Sequence, residues 1–411
     1  MSELTITLKT LTPLWTGGVD QTCDRLHETG LIGSLRWWYE ALVRGLGGYA
    51  CDPTSESSEL RCRFDTDAYD KARQKGASST DSITQGTMAI CPVCYLFGTT
   101  GWSRLFQIRA ERVPTTSLHF VTTLRMNRGW LEQLFAGTSG NLGSAQVPFG
   151  RLELKFCARG RDELYGRGQV GLLLSLAAKY GGIGARLQHG FGQVDPEMPA
   201  DMKSDGAFTA LKAKLKAGTS RRSSGEFNSR NPFNFQNLIT LVYTIPEGEL
   251  TDFSTSRLIA GTKPPAATYL PCAFDLRYKG SGRWGMRRWL KEQQGWKESD
   301  DTGKLEELDQ LLGPRSQWGR KADVRKIDEN LRTASRVFFS MPYKKNVEDQ
   351  DYELRVWAFW SRNLSNRLKA PDDLSNLCQE YMGYVLPKAR LQSAKLGKQI
   401  LEELEGGQRG I

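Results

Sequence analysis

The run from Gly181 to Val194, GGIGARLQHGFGQV, constrains this chain more than any other stretch. Its five glycines leave the backbone free to take positive φ and to approach a ligand or another segment closely. It follows a mostly apolar run, Val170 to Tyr180, that reads as a buried helix, so Gly181-Gly182 ends a helix. Two uses remain open. One is a helix C-cap followed by a tight entry into a strand. The other is a cradle of exposed amides for phosphate oxygens, with Arg186 adding a planar donor fork. Two nucleotide-binding motifs are excluded: the glycines follow a helix and lack the G-x-G-x-x-G spacing, and G-K-[ST] occurs nowhere in the chain.

A length of 411 residues suggests two or three domains with ample room for cores. Apolar residues at 39% and charged residues at 25% indicate a globular protein, and no run approaches the ~20 apolar residues of a membrane span. The opening MSELTITLKTLTPL has no basic segment followed by an apolar one, so a cytoplasmic location is expected. Lys plus Arg exceed Asp plus Glu by 56 to 46; residues 1–200 hold 21 against 19 and residues 201–411 hold 35 against 27. Most of the excess, +8 of +10, therefore lies in the second half, and it favours an anionic partner, nucleic acid first among them. With only His27, His119 and His189, multi-histidine metal centres are nearly excluded.

Residues 3–9 alternate as a strand, and a helix is expected over about 32–46, with Leu35, Trp38, Leu42 and Leu46 on one face. Residues 51–100 read as an irregular polar insertion between cysteines. Strands are expected at 104–113, 117–125 and 151–157, with a helix at 129–136. The polar stretch 218–235 reads as a linker. Beyond it come strands at 237–245, 335–343 and 352–360, a basic helix at 284–293, and helical segments at 372–386 and 389–405. Both halves mix strands with helices, a pattern that suggests a duplicated α+β unit.

Three further features carry chemistry. In LIGSLRWWYEAL (31–42), a Gly-Ser turn opening a helix would leave free N–H groups for an anion, with Ser34 and Arg36 at the site; the plain alternative is an ordinary N-cap above core tryptophans. Cys91-Pro92-Val93-Cys94 presents two thiolates to a tetrahedral metal, and Cys51 and Cys62 are the natural remaining ligands of a structural zinc. Redox chemistry and plain burial are the alternatives. Basic residues beside aromatics recur at Arg104-Leu105-Phe106 and at Trp284 with Arg287-Arg288-Trp289, and Arg221-Arg222 lie in the linker; such pairings suit single-stranded RNA. For catalysis, His27 stands close to Asp20, Asp24 and Glu28.

Together these segments resemble the RAMP superfamily of CRISPR proteins. GSLR (33–36) is similar to its helix-opening signature and GFG (190–192) to its glycine-rich loop. LIGSLRWWYEALVRGLGG (31–48), CPVCYLFGTTGWSRLF (91–106) and GGIGARLQHGFGQV (181–194) resemble, in order, the first subunit of the type III-B Cmr module. The resemblance implies an α+β chain of two ferredoxin-like (RRM-like) domains, over 1–217 and 236–411, with a cysteine-containing insertion at about 49–100 in the first. It implies a non-catalytic subunit that meets CRISPR RNA, target RNA and other Cmr subunits. The residues expected to contact RNA are Ser34, Arg36, Arg104, Gly182, Gly184, Arg186, His189, Gly190, Phe191, Gly192, Arg287 and Arg288. The alternative is a metal-independent RAMP endoribonuclease using His27 or Asp24; a purely structural partner protein is the third reading.

Overall fold

The computed structural model describes residues 3–17, 23–53, 61–122, 145–160, 162–202, 206–218, 233–254, 256–260, 268–271, 273–278, 280–298, 306–313, 334–346 and 348–406. Asp20, Arg221-Arg222 and the helix expected at 129–136 lie outside them. The first half runs β1 (Glu3–Thr10), α1 (Glu28–Gly45), α2 (Thr66–Gln74), α3 (Ser79–Thr87), α4 (Pro92–Phe97), β2 (Phe106–Arg112), β3 (Thr115–Thr122), β4 (Ala145–Pro148), β5 (Arg151–Ala158), α5 (Glu163–Tyr180), β6 (Val194–Glu197) and α6 (Ala207–Gly218). The second runs β7 (Leu238–Ile245), α7 (Glu247–Phe253), β8 (Ser256–Ala260), β9 (Thr268–Pro271), α8 (Phe274–Arg277), α9 (Met286–Glu292), α10 (Glu307–Leu312), β10 (Val337–Phe339), β11 (Tyr352–Phe359), α11 (Pro371–Val385), β12 (Arg390–Leu396) and α12 (Gly397–Glu405).

Each half builds one antiparallel four-stranded sheet, and the two sheets share a plan. The first is ordered β2-β5-β1-β6 and the second β10-β11-β7-β12. In both, the first strand to appear in the chain lies between the third and the fourth. A long helix precedes the last strand each time: α5 before β6 and α11 before β12. Insertions occupy matching connections: α2 to α4 follow α1, and α7 to α10 with the β8–β9 hairpin follow β7. The β3–β4 hairpin of the first half pairs through β3 with β8 of the second, so a third sheet, β4-β3-β8-β9, joins the halves.

The core follows from the pattern of apolar residues. In β1, Ile6 and Leu8 are fully buried and face Leu154 and Leu152 of β5, while Thr5, Thr7 and Lys9 alternate toward water. On α1, Leu31, Leu35, Trp38 and Leu42 recur at helical spacing and are all buried. The second sheet is buried on both faces: Leu354, Val356 and Ala358 join one apolar cluster with α11, while Trp357 and Phe359 join the other with α1 and α5. Helices α1 and α5 thus lie between the two sheets. Trp37 meets Phe359 edge-on at 5.4 Å, and Trp357 stacks on Phe338 at 5.3 Å. Each such ring withdrawn from water is worth about 2–3 kcal/mol.

Three sequence expectations change. The insertion at 51–100, read as irregular, holds the three short helices α2, α3 and α4. Helix α1 begins at Glu28 with His27 at its N-cap, so Gly33 and Ser34 lie in its second turn and its first free amides are elsewhere. The anion site at the Gly-Ser turn is therefore absent, since an interior helical amide donates to the preceding turn. The stretch expected to be helical from 389 begins instead as strand β12, an edge strand paired to β7 with a bulge between Leu391 and Ser393. Among the described residues, no helix is long and apolar enough to cross a membrane.

Candidate nucleic-acid interface and metal centre

The glycine-rich run carries the chain from α5 to β6, and its amides are mostly engaged within the protein. Ile183 N donates to Gly192 O (2.9 Å), Gly184 N to Ser34 Oγ (3.0 Å), Ala185 N to Trp15 O (2.8 Å) and Gly192 N to Pro13 O (2.9 Å). Gln193 N donates to Thr12 Oγ1 (3.0 Å), and Gly190 N closes a short turn onto Leu187 O (3.0 Å). The cradle of exposed amides expected from spacing is thus corrected: these donors hold the loop to the segment that follows β1, to its own turns and to α1. The glycines permit close approach. A Cβ on Gly190, which has φ +91°, would lie 2.5 Å from Met341 N, and one on Gly192 would lie 2.0 Å from Ile183 O.

Several residues expected at the surface are enclosed. Phe191 is 0% exposed and sits edge-on to Trp15 at 5.5 Å. Gly182, Gly190 and Gly192 are buried with it. His189 is buried and stacks on Phe274 of α8 at 5.0 Å; burial, with Arg277 and Arg186 nearby, holds its pKa well below the ordinary range, so the ring is neutral. Arg287 is buried between Asp309 (2.7 Å) and Glu298 (3.0 Å) and also donates to Gly313 O. These side chains offer no face to a polynucleotide, and the assignments for Phe191, His189 and Arg287 are corrected accordingly. They hold the molecule together instead: Gly190 O accepts from Met341 N (3.0 Å) of the second half and from Thr12 Oγ1 (3.2 Å) of the first.

What remains open is the outer turn of the loop. Gly184 is half-buried, Ala185 exposed and Arg186 half-buried. Arg186 is the only described residue other than glycine with positive φ, at +57°. A left-handed residue with a Cβ costs about 1–2 kcal/mol, a strain that persists where surrounding structure imposes it. Its guanidinium lies over the Trp15 ring at 3.7 Å. Burial pulls its pKa to about 10, with Cys23 opposing, and it stays cationic at neutral pH. Ser34, bonded to the Gly184 amide, brings α1 to the same corner. There too the loop after β1 is held by Thr16, whose Oγ1 accepts from His27 N (2.9 Å) and donates to Arg25 O (3.1 Å). His27 Nε2 lies 2.7 Å from Asp24 Oδ1, and that bond lowers the pKa of Asp24. Trp15, the platform beneath Arg186, was not among the expected site residues; its signal was an aromatic just ahead of the Gly17-Gly18 pair in the sequence. Arg104 stands at the entry to β2, with Nε donating to Phe106 O (2.7 Å), and Arg288 lies exposed over Trp284 at 4.9 Å. No hydrogen bond or ion pair among the described residues links either to the glycine loop.

The second feature is a group of four buried cysteines. The sulfurs of Cys51, Cys62, Cys91 and Cys94 all lie within 4.8 Å of one another. A tetrahedral zinc with bonds of about 2.3 Å needs sulfurs about 3.8 Å apart, so this donor set fits that ion. Cys51 follows α1, and Cys91 caps α4, turning the amide of Cys94 to its own sulfur at 3.5 Å. The amide of Cys91 donates to Cys62 Sγ at 3.3 Å, and the Cys51 and Cys94 sulfurs are 3.2 Å apart. Hydrogen bonds from Cys51, Cys62 and Cys91 pull the Cys94 thiol far down, while burial pushes Cys91 up. Arg36, grouped with the RNA contacts by resemblance, points here: its Nη2 lies 3.5 Å from Cys94 Sγ.

The family comparison bears on the first half. The family model of the RAMP superfamily matches residues 7–195, from within β1 to within β6. Over these residues the chain is similar to the RAMP superfamily. The RAMP region thus contains the whole glycine loop, helix α1 and all four clustered cysteines. Among solved structures, the chain is similar to Cmr1 from Pyrococcus furiosus, with 14% identity over 95% of this chain and 98% of that one, at a TM-score of 0.41. It is also similar to a chain of the type III-B Cmr-beta complex bound to cognate target RNA and AMPPnP in the presence of ssDNA, with 10% identity, 92% and 99% coverage and a TM-score of 0.40. A third likeness is to a chain of Cmr-beta bound to cognate target RNA, with 12% identity, 92% and 100% coverage and a TM-score of 0.38. No curated protein matches the sequence.

Proposed function

We propose that this chain is a non-catalytic, RNA-binding subunit of a type III-B CRISPR (Cmr) RNA-guided complex acting in antiviral defence. It contacts the 3′ part of the CRISPR RNA and the target RNA beside other Cmr subunits. The RAMP match over residues 7–195 and the three ordered stretches at 31–48, 91–106 and 181–194 support this reading. The shared strand order of the two sheets supports two ferredoxin-like domains, on either side of the 218–235 linker. Four buried cysteine sulfurs within 4.8 Å of one another support a structural zinc, because four sulfur ligands would leave no position for substrate.

One observation carries the RNA site: a guanidinium held over Trp15, on a strained left-handed backbone, at the open edge of the glycine loop. The loop glycines and Ser34 act as its mounting. Charge and shape then bind the strand backbone, while guide–target pairing carries sequence. The test is fluorescence anisotropy of single-stranded RNA against salt. Arg186→Ala is expected to weaken binding for all sequences and to reduce the salt slope by about one. Unchanged affinity and slope would remove Arg186 from the interface.

A second reading draws on the His27–Asp24 pair at 2.7 Å, an imidazole held by a carboxylate beside the same corner. It is a RAMP endoribonuclease. Labelled RNA incubated with and without divalent cation separates the two, since only the enzyme yields specific cleavage that disappears in His27→Ala.

A further inference from the structure

A thiolate set needs hydrogen-bond donors around it as much as it needs a metal, because the donors fix each sulfur and spread its charge. Two of these donors are the backbone amides of Cys91 and Cys94. The third is a side chain from another element. Arg36 lies on α1, one turn before Glu40 and two before Arg44. Its Nε donates to Glu40 Oε1 (3.0 Å), and its Nη2 reaches Cys94 Sγ (3.5 Å). Glu40 Oε2 in turn takes Arg44 Nη2 (3.3 Å), and Arg44 Nη1 donates to Phe233 O (3.2 Å) at the entry to the second half. The Arg36 side chain is 19% exposed, and both bonded edges of its fork point into the protein. A neutral thiol accepts weakly, whereas a metal-bound thiolate accepts a charge-assisted bond.

We propose that Arg36 is a positioning residue of the zinc centre, which orients the Cys94 thiolate and ties α1 to the cysteine insertion, and that it makes no contact with RNA. The inference rests on the zinc reading above. It assigns the arginine of the GSLR stretch to the metal, and leaves Arg186 as the cation of the RNA edge.

The experiment compares the full-length protein with Arg36→Ala and Arg36→Lys. Zinc content is measured by mass spectrometry, and zinc retention by competition with a coloured chelator. The sulfur-to-metal absorption of the cobalt-substituted protein reports on the thiolates, and RNA binding is followed against salt. The wild type is expected to hold about one zinc per chain. Arg36→Ala should release it at 10- to 100-fold lower chelator concentration, with a shifted cobalt band and the RNA salt slope unchanged. Arg36→Lys, which keeps the charge without the fork, should fall between the two. It also supplies the comparison if circular dichroism finds the alanine variant unfolded. Zinc retention and a cobalt spectrum equal to wild type in both variants would overturn the inference, as would a loss of about one in the salt slope. A wild type that binds neither zinc nor cobalt would overturn the zinc reading itself, a separate and recognisable failure.

Discussion

His189 shows how a residue chosen for a surface role is redirected by its neighbours. Its ring stacks on Phe274, and its Nδ1 is buried without a hydrogen-bond partner. Burial comes first in depressing its pKa, and Arg277 and Arg186 add to it. The folded ring is neutral, whereas the unfolded chain takes up a proton near the ordinary histidine pKa of about 6.5. The unfolded state therefore binds more protons below that point. The stability due to the neutral ring is complete above about pH 6.5 and falls as pH drops toward the depressed folded value, by up to about 1.4 kcal/mol per pH unit. Urea unfolding at pH 7.5 and pH 5.5 should show this loss in the wild type, and a smaller one in His189→Phe, which keeps the stack and removes the proton. Equal pH dependence in the two proteins would show that the folded ring takes up its proton as readily as the unfolded one, and that burial does not hold it neutral.

At the scale of elements, what could be read in the sequence depended on how far local pattern and tertiary contact agree. Strand β1 and helix α1 carry their own periodicity, and Ile6, Leu8, Leu35, Trp38 and Leu42 are all buried as that pattern implies. The cysteine group was legible from the C-x-x-C spacing, and its four sulfurs do converge. The start of α1 was not, because Gly33-Ser34 imitates a cap while the true N-cap, His27, makes no side-chain capping bond. Strand β12 was missed because it is a largely exposed edge, RLQSAKL, with no apolar alternation to separate it from a surface helix. The glycine loop misled for a related reason. Clustered glycines signal close approach, but sequence does not say whether backbone or phosphate approaches, and here Met341 and Ile183 do. The insertion makes the next prediction. Helix α2 buries no side chain, and α3 buries only Ser82, Gly86 and Thr87, so their order depends on packing such as Phe64 against Gly86 and on the cysteine centre. On the proposed zinc reading, a strong chelator should raise amide exchange across residues 61–98 and leave β7 and β11 protected. Exchange that is unchanged in the insertion would show that the four cysteines are merely buried.

For the molecule as a whole, the decisive contact is polar and joins the halves. Arg355 lies on β11, on the face turned toward α1 and α5, and is buried. Its Nη1 donates to Ala178 O and, at 3.3 Å, to Gly181 O, which are carbonyls at the end of α5; its Nη2 reaches Tyr343 OH at 3.2 Å. A cation at a helix C-terminus satisfies free carbonyls and opposes the negative end of the dipole. Glu353, 3.6 Å from the guanidinium, keeps the buried charge paired. Around it, Trp38 Nε1 donates to Gly182 O (2.8 Å), and Trp357 packs against the same turn, close to Gly181. The glycine loop is therefore mounted on the second half as well as on the first. Arg355→Ala removes a buried charged donor and strands several acceptors at once, for an expected loss of about 3–5 kcal/mol. Because the second sheet is covered on one face by the first half's helices, the two halves should still unfold together, in one urea transition with an unchanged slope. The same variant should weaken RNA binding without altering its salt slope, since it loosens the mounting of Arg186 and leaves the cation in place. Two separated unfolding transitions in the wild type would show instead that each half is stable alone and that the shared helical layer adds little.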